Sequence, residues 1–502
     1  MKTVMQLRFL LPVALAAAGL PPLAAQNELV VERGAVERQG RHWVERITCR
    51  APVREGAKLV VRADLGSVVV KPGANDRVEC QVFLKAYAPG KEAAQRSFAN
   101  FRLGLFRRED GGVYLRGRFG YTRASALRAR PARRARAARP ARVARPAEPS
   151  APAPPEPPAP PAPPAAPEPP EPPAPPALPA PPATPARLRV HFEIHVPLRF
   201  DLDLETRGGD LTVEKLEGAL RGATAGGAIR TGDISGAVRL ATAGGSIVLG
   251  NIGAAVKAST AGGTIRVGNV GGDAKLTTSG GSIITGRIAG TLRGTTAGGD
   301  VVVTGADADV VAETAGGQIL IGQTGGGVRA ETAGGSISLQ ATHGPIRVET
   351  AGGSILLYDV NDAIRAVTQA GSILAQLTVD INRFKASVLE TSFGDVEVYL
   401  PPNLPLTIDA RITAAHGHQI LTDFPLQIEP VGSSYRRKVL RGQGNVNGGG
   451  PVLRIRTQAG NIKIVKLTPR VLQKIEKRQQ RQWKRWLKYH RKPRSRNKEE
   501  EQ

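Results

Sequence analysis

The chain is poor in the residues that usually anchor a globular core. Of its 502 residues three are Trp, two are Met and two are Cys, and aromatics make up 4%. So thin a supply excludes packed aromatic layers over most of the length. Two cysteines exclude a disulfide-dense scaffold, and neither sits in a redox or zinc-binding pattern. Cys49 and Cys80 lie in strand-like stretches and leave two readings open, one disulfide in an exported chain or two buried thiols. No apolar run approaches the roughly 20 residues of a membrane-spanning helix. Residues 9–20 follow Lys2 and Arg8 and precede Leu23-Ala24-Ala25, and this reads as a secretory signal peptide over residues 1–25. No Cys follows the expected cleavage site. The expectation is an exported chain, in the periplasm, at the cell surface or outside the cell.

Catalytic and metal-binding patterns are equally scarce. His416-Gly417-His418 lacks a nearby third ligand. His191 and His195 share a strand face but stand too far apart to share an ion. The glycine pairs lack the periodic Asp of calcium-binding nonapeptide repeats, and no Gly-x-Ser-x-Gly elbow occurs. Asp300, Asp307 and Asp309, near Arg293, are the one grouping that a polysaccharide-active β-helix enzyme could use. The expectation is therefore no catalysis, no cofactor and no metal, with that enzyme class as the main alternative and a self-assembling filament or scaffold, stacked through open repeat ends, as a further one.

Glycine (58), proline (40) and positive charge (+26) are abundant instead. The charge is unevenly placed. Residues 187–469 hold 27 basic and 24 acidic side chains, whereas residues 128–145 hold eight Arg and no acid, and 470–502 hold 13 basic against four acidic. Export argues against nucleic acid as the target of this basicity, and anionic envelope polysaccharides or membrane surfaces are the expected partners.

Internal repetition dominates the middle of the chain. Thr206, Thr224, Thr242, Thr260, Thr278, Thr296, Thr314, Thr332, Thr350 and Thr368 recur every 18 residues, most of them opening Thr-Ala-Gly-Gly. A fixed period with Gly-rich turns is the signature of a solenoid, in which each repeat buries its apolar side against its neighbours. Two short strands per rung fit the alternation, as at Ile319 and Ile321 followed by Val328, Ala330 and Thr332, with Ile234, Ile252, Val270 and Ile288 at a corner. The predicted fold is all-β, a parallel β-solenoid (β-helix) of about ten rungs. The paired glycines are expected at corners needing positive φ or close backbone approach.

Two outward ladders stand out. Arg221, Arg239, Lys257, Lys275 and Arg293 stack without acidic neighbours, whereas Arg329 and Arg347 in later rungs have Glu331 and Glu349 two residues along. The first stretch reads either as an anion-binding face or as a solvated face that deters edge pairing. The second ladder, Val248, Ile284, Val302, Leu320, Leu356 and Leu374, is apolar and calls for cover, by the chain itself or by a second copy in a homo-oligomer.

The Thr-Ala-Gly-Gly-Ser-Ile repeats, the lead-in from Val190 to Val213 and the closing Gly394-Asp395-Val396-Glu397-Val398-Tyr399-Leu400-Pro401 resemble the DUF4097 family of adhesin-like bacterial proteins with repeated β-strands. The resemblance spans about residues 187–468, with one preliminary turn within residues 58–86. It implies an exported β-solenoid without established catalytic residues.

The expected organisation is a β module at 26–127, a disordered linker at 128–186, Arg-rich then Pro-rich, the solenoid with its cap at 187–468, and a basic helical tail at 469–502. In the tail Leu472, Ile475, Gln479, Trp483 and Trp486 recur at three- and four-residue spacing among Lys474, Arg481, Lys484 and Lys488. That pattern fits either an interfacial membrane binder or a helix capping the end of the solenoid. On charge alone, the arm and tail are expected to dominate affinity for an anionic envelope.

Overall fold

The computed structural model describes residues 29–120, 188–379, 384–431 and 439–491. The Arg- and Pro-rich linker and the signal segment lie outside the described residues. Alternation decides how each rung folds. In Val238–Thr242 the residues Val238, Leu240 and Thr242 point inward while Arg239 and Ala241 face out. After the Gly-Gly corner, Ile247 and Leu249 point inward and Val248 outward. Each rung thus contributes one strand to a front sheet, such as Val238–Thr242, and one to a back sheet, such as Ile247–Leu249. The two sheets enclose a continuous aliphatic core.

Successive rungs pair in parallel at an offset of 18, so identical places stack: Val238 on Val256, Thr242 on Thr260, Ile247 on Ile265. The rung has two long sides. A third, minor side exists in the early rungs, where Leu216, Ile234, Ile252, Val270 and Ile288 form a ladder of single bridges. From Ile283–Ile288 onward the back strands lengthen from three residues to five or six and absorb this corner.

Threonine recurs because its hydroxyl pins one rung to the previous one. Thr242 Oγ1 donates to the Gly227 carbonyl at 2.8 Å and accepts the Gly245 N–H at 3.3 Å; Thr332 does the same with Gly317 at 2.9 Å and Gly335 at 3.3 Å. The glycines of each pair are not equivalent. A Cβ on the second, as at Gly335, would be driven into the backbone of Gly317, whereas on the first, Gly334, its nearest neighbour would be 3.6 Å away. Close approach, rather than positive φ, is the constraint at these corners, since among rung glycines only Gly66 and Gly394 have positive φ. The variant Thr368-Gln369-Ala370-Gly371 accordingly replaces the first glycine and keeps the second.

Residues before the linker belong to the same two sheets. Lys58–Ala63 pairs in parallel with Asp201–Thr206, and Ser67–Pro72 with Leu211–Val213, adding a rung ahead of the regular series. The lead-in strand Leu188–Val196 departs from the parallel scheme: it runs parallel to Ser67–Pro72 on one side and antiparallel to Arg77–Ala86 on the other. Helix α1 (Lys91–Ala99) buries Phe98 in this N-terminal cap, where Phe101 packs against Phe119 and Phe192. Cys49 and Cys80 face each other across the antiparallel pair His42–Pro52 and Arg77–Ala86 and form a buried disulfide.

At the other end the chain order is broken. Val452–Ala459 inserts between Ser387–Phe393 and Leu406–Ile412, and Ile462–Lys466 between Val396–Leu400 and Ile420–Thr422. Helix α2 (Pro469–Arg491) then returns along the outer surface of the back sheet.

Candidate binding faces

The front sheet positions the basic ladder. Alternation turns every second side chain outward, and parallel in-register pairing sets Arg221 beside Arg239, then Lys257, Lys275 and Arg293 on adjacent strands. All five are exposed. Among the described residues Arg221, Arg239, Lys257 and Lys275 have no ion-pair partner, while Arg293 reaches Glu313 at 3.7 Å. The uncompensated run is therefore four cations, one fewer than the sequence suggests. It is bounded on the N-terminal side by Asp203, which Arg62 holds at 2.9 Å, and on the C-terminal side by Glu313.

The surroundings of the ladder are low. Two residues along each strand on the same face stand Ala223, Ala241, Ser259 and Thr277. On the other flank runs a shallow groove of about 320 Å³, lined by Ala237, Ala255, Asp273 and Thr291 with the cations as its wall. In the later rungs the same face is neutralised. Arg329 pairs with Glu331 at 2.7 Å and Arg347 with Glu349 at 3.1 Å, and Arg365 reaches Glu349 at 3.7 Å.

The Asp grouping has structural work. Asp300 Oδ1 accepts the Gln318 N–H at 2.8 Å, and Asp309 Oδ1 accepts the Gly327 N–H at 2.7 Å. Asp307 pairs with Arg287. The first two continue a corner device in which an Asp, Asn or Ser accepts the backbone N–H of the next rung, as Asp210 and Asp273 also do.

The histidines do not converge. His191 Nδ1 hydrogen-bonds Ser67 Oγ at 2.9 Å, and partial burial, aided by Lys85 and Lys71 against an opposing pull from Glu193, holds the ring below its ordinary pKa. His195 faces Glu193, whose carboxylate is taken by Lys71 at 2.8 Å. His416 and His418 flank Gly417 in a turn. Among the described residues no group of three His, Cys, Asp or Glu stands close enough to hold a metal ion.

The apolar outer ladder divides in two. Val248 is exposed and Ile284 half-buried, and Arg266 interrupts them. Val302, Leu320 and Leu374 are buried. Helix α2 covers the C-terminal part: Ile475 packs with Tyr358 and Leu374, flanked by Leu356, Tyr399, Leu467 and Val471. Further along, Gln479 Nε2 donates to the Gln340 carbonyl at 3.1 Å. The tail thus lies against the flank of the solenoid, not across its end. Lys474, Arg481 and Lys484 are exposed, whereas Trp483 is half-buried, lining a polar cavity of about 400 Å³ with Gln340, Asp359 and Gln376. The side chains of Trp486 and Lys488 lie outside the described residues. Beneath the helix, burial alone would raise the Glu397 carboxyl. Hydrogen bonds from Tyr399 and Lys463, with the Arg478 charge nearby, outweigh it and leave the group below its usual range.

Sequence reasoning used the threonines only as a ruler and did not see the inserted terminal rung. A signal for the latter was present, since Thr457-Gln458-Ala459-Gly460 repeats Thr368-Gln369-Ala370-Gly371 outside the regular register.

Among the described residues no helix is long and apolar enough to cross a membrane. No family model matches the chain, and no curated protein does. Among solved structures, one match is a putative cell adhesion protein from Clostridium sporogenes ATCC 15579, at 7% identity over 88% of this chain and 100% of that one, with a TM-score of 0.15. So low a score carries no argument about fold or function, and the architecture rests on the strand pairing itself.

Proposed function

We propose that this chain is an exported, adhesin-like β-solenoid of the cell envelope or surface that binds anionic envelope polymers without catalysing a reaction on them. The observation that carries the reading is the run Arg221, Arg239, Lys257 and Lys275, four cations in register on an open face with no acidic partner among the described residues. Like charges stacked on adjacent strands are destabilising, so a ladder kept bare while its continuation is neutralised by Glu331 and Glu349 points to a use. Export is supported by the signal-like N-terminus and by the Cys49–Cys80 disulfide, which suits an oxidising compartment. The likeness of the repeats to adhesin-like bacterial proteins agrees with it. The absence of catalysis is supported by the regular rungs and by the corner roles of Asp300 and Asp309.

The tail is a weaker candidate for the main contact, because Ile475, on the apolar side that a membrane binder would insert, is engaged with Leu374 and Tyr358. The deciding experiment measures binding of the full chain to acidic polysaccharides and to anionic vesicles, beside Lys257→Gln/Lys275→Gln and beside a chain ending before Pro469. Loss with the double variant and retention without the tail is the expected pair of results. The reverse pattern would move the contact to the tail. Turnover of the polysaccharide that disappears in Asp300→Asn would make the chain an enzyme.

A further inference from the structure

Building on the front-face reading above, we propose that the Arg221–Lys275 ladder is a spaced template for a linear acidic polysaccharide carrying one carboxylate on every sugar. Such a chain would lie across the strands, along the direction in which the rungs stack. Two features of the face select this occupant. The first is spacing. Neighbouring strands stand about 4.8 Å apart, close to the length of one pyranose ring, so a uronate chain lying along the ladder advances one sugar per rung and meets successive cations once it untwists to turn its carboxylates to the face. Nucleic acid fits worse, because duplex DNA places charges about every 1.7 Å along its axis and about 3.4 Å along one strand, and a cylinder touches a flat face along a line. Lipid headgroups carry no fixed spacing at all.

The second feature is relief. A sugar ring is flat and needs floor on both sides of the charge it presents. Ala223, Ala241 and Ser259 leave that floor on one flank, and the groove bordered by Ala237 and Ala255 leaves it on the other. Hydroxyls have acceptors and donors there in Asp273 and Thr291, although one oxygen of Asp273 already accepts the Thr291 N–H at 2.8 Å. Asp203 and the Arg293–Glu313 pair close the run at its ends. The site should therefore hold four or five consecutive sugars.

The test separates spacing from charge. Full chain is titrated with oligogalacturonates of increasing length, with the same oligomers after reduction of their carboxyls to alcohols, and with hyaluronan, which carries a carboxylate on alternate sugars. Two variants are compared. Lys257→Gln/Lys275→Gln removes two cations, and Lys257→Ser/Ser259→Lys keeps the charge and the face but moves one cation two residues along its strand, out of line. Thermal melting confirms that each is folded.

Template binding predicts affinity that rises with length up to about five sugars and then levels off, and weak binding of hyaluronan and of the reduced oligomers. It also predicts a loss of about fivefold for the shifted variant, the order expected for one cation at an anionic surface. If the shifted variant binds like the parent, or hyaluronan binds as well as the oligogalacturonate, the spacing template is wrong while the front face remains the contact. If the double Gln variant binds like the parent, the front-face reading fails as well. Equal affinity for duplex DNA or for phosphatidylglycerol vesicles would overturn the choice of occupant.

Discussion

The rungs around Thr224 to Thr278 and those around Thr332 to Thr368 share one interior and differ outside. In both groups the inward residues are aliphatic, the threonine hydroxyl reaches the preceding glycine carbonyl and the second glycine sits against backbone. Outside, the early group carries bare cations on the front sheet and the exposed Val248 on the back. The late group carries Arg–Glu pairs in front and helix α2 behind. One repeat can therefore serve as neutral scaffold or as presented surface by changing only the residues that alternate outward. Interior chemistry sets the architecture, and outer positions are free to diverge because they make no contribution to the core between the two sheets.

The sharpest way to break this comparison is to look for a difference inside. Gly245→Ala in the early group and Gly335→Ala in the late one each force a Cβ into the backbone of the preceding rung. Each should destabilise by about 4 kcal/mol or prevent folding, as overpacking against backbone that cannot move does. Gly244→Ala and Gly334→Ala meet nothing closer than Gly226 O at 3.4 Å and Gly316 O at 3.6 Å and should stay within about 1 kcal/mol. Chemical denaturation of the four variants checks this. If Gly245→Ala were tolerated and Gly335→Ala were not, the claim of a shared interior would be wrong.

A second test strips the late group of its cover. Ile475 is buried against Tyr358 and Leu374, so Ile475→Ala should cost about 2 kcal/mol of helix docking. Ending the chain before Pro469 should expose an apolar strip of Leu356, Tyr358 and Leu374, raising binding of an apolar dye and promoting self-association. The front face should keep its affinity for acidic oligosaccharide. A truncated chain that stays monodisperse and binds no dye would show that the helix is not needed as cover.

How much of this was legible beforehand follows from where the information sits. The period of 18, the parallel stacking and the Ile234–Ile288 corner are local patterns repeated many times, so Thr and Gly spacing alone specifies them. The rung at 58–72 falls within the preliminary turn read at 58–86, but a long insertion separates it from its neighbour, and register across such a gap leaves no local mark. The strand insertion at 452–466 is likewise a choice of partner, hinted at only by Thr457-Gln458-Ala459-Gly460. The tail was readable as an amphipathic helix, but which apolar surface it meets depends on Leu356, Tyr358 and Leu374 facing outward far away in sequence. Charge counting favoured the arm, which lies outside the described residues, and the tail, and it could not register that Ile475 of α2 packs against the outer surface of the back sheet while Arg221 to Lys275 are left bare. The choice between two thiols and a disulfide also waited on the pairing of His42–Pro52 with Arg77–Ala86.

The smallest expected effect tests whether the bare ladder is maintained at a cost. In the early group Lys257 stands between Arg239 and Lys275 with no acid in reach, so replacing it with Gln should relieve repulsion and stabilise the fold by about 0.3 kcal/mol at low salt. In the late group Arg347 pairs with Glu349 at 3.1 Å, and Arg347→Gln should destabilise by a similar small amount. The two changes remove the same charge from the same face, yet the signs are opposite. Both effects should shrink as salt shortens the screening length to roughly 3 Å at 1 M. Paired melts at low and high salt, with enough replicates to resolve about one degree, read the difference. Equal signs for the two variants would mean that the Arg–Glu pairs do not neutralise the late face, and the contrast on which the binding proposal stands would lose its electrostatic basis.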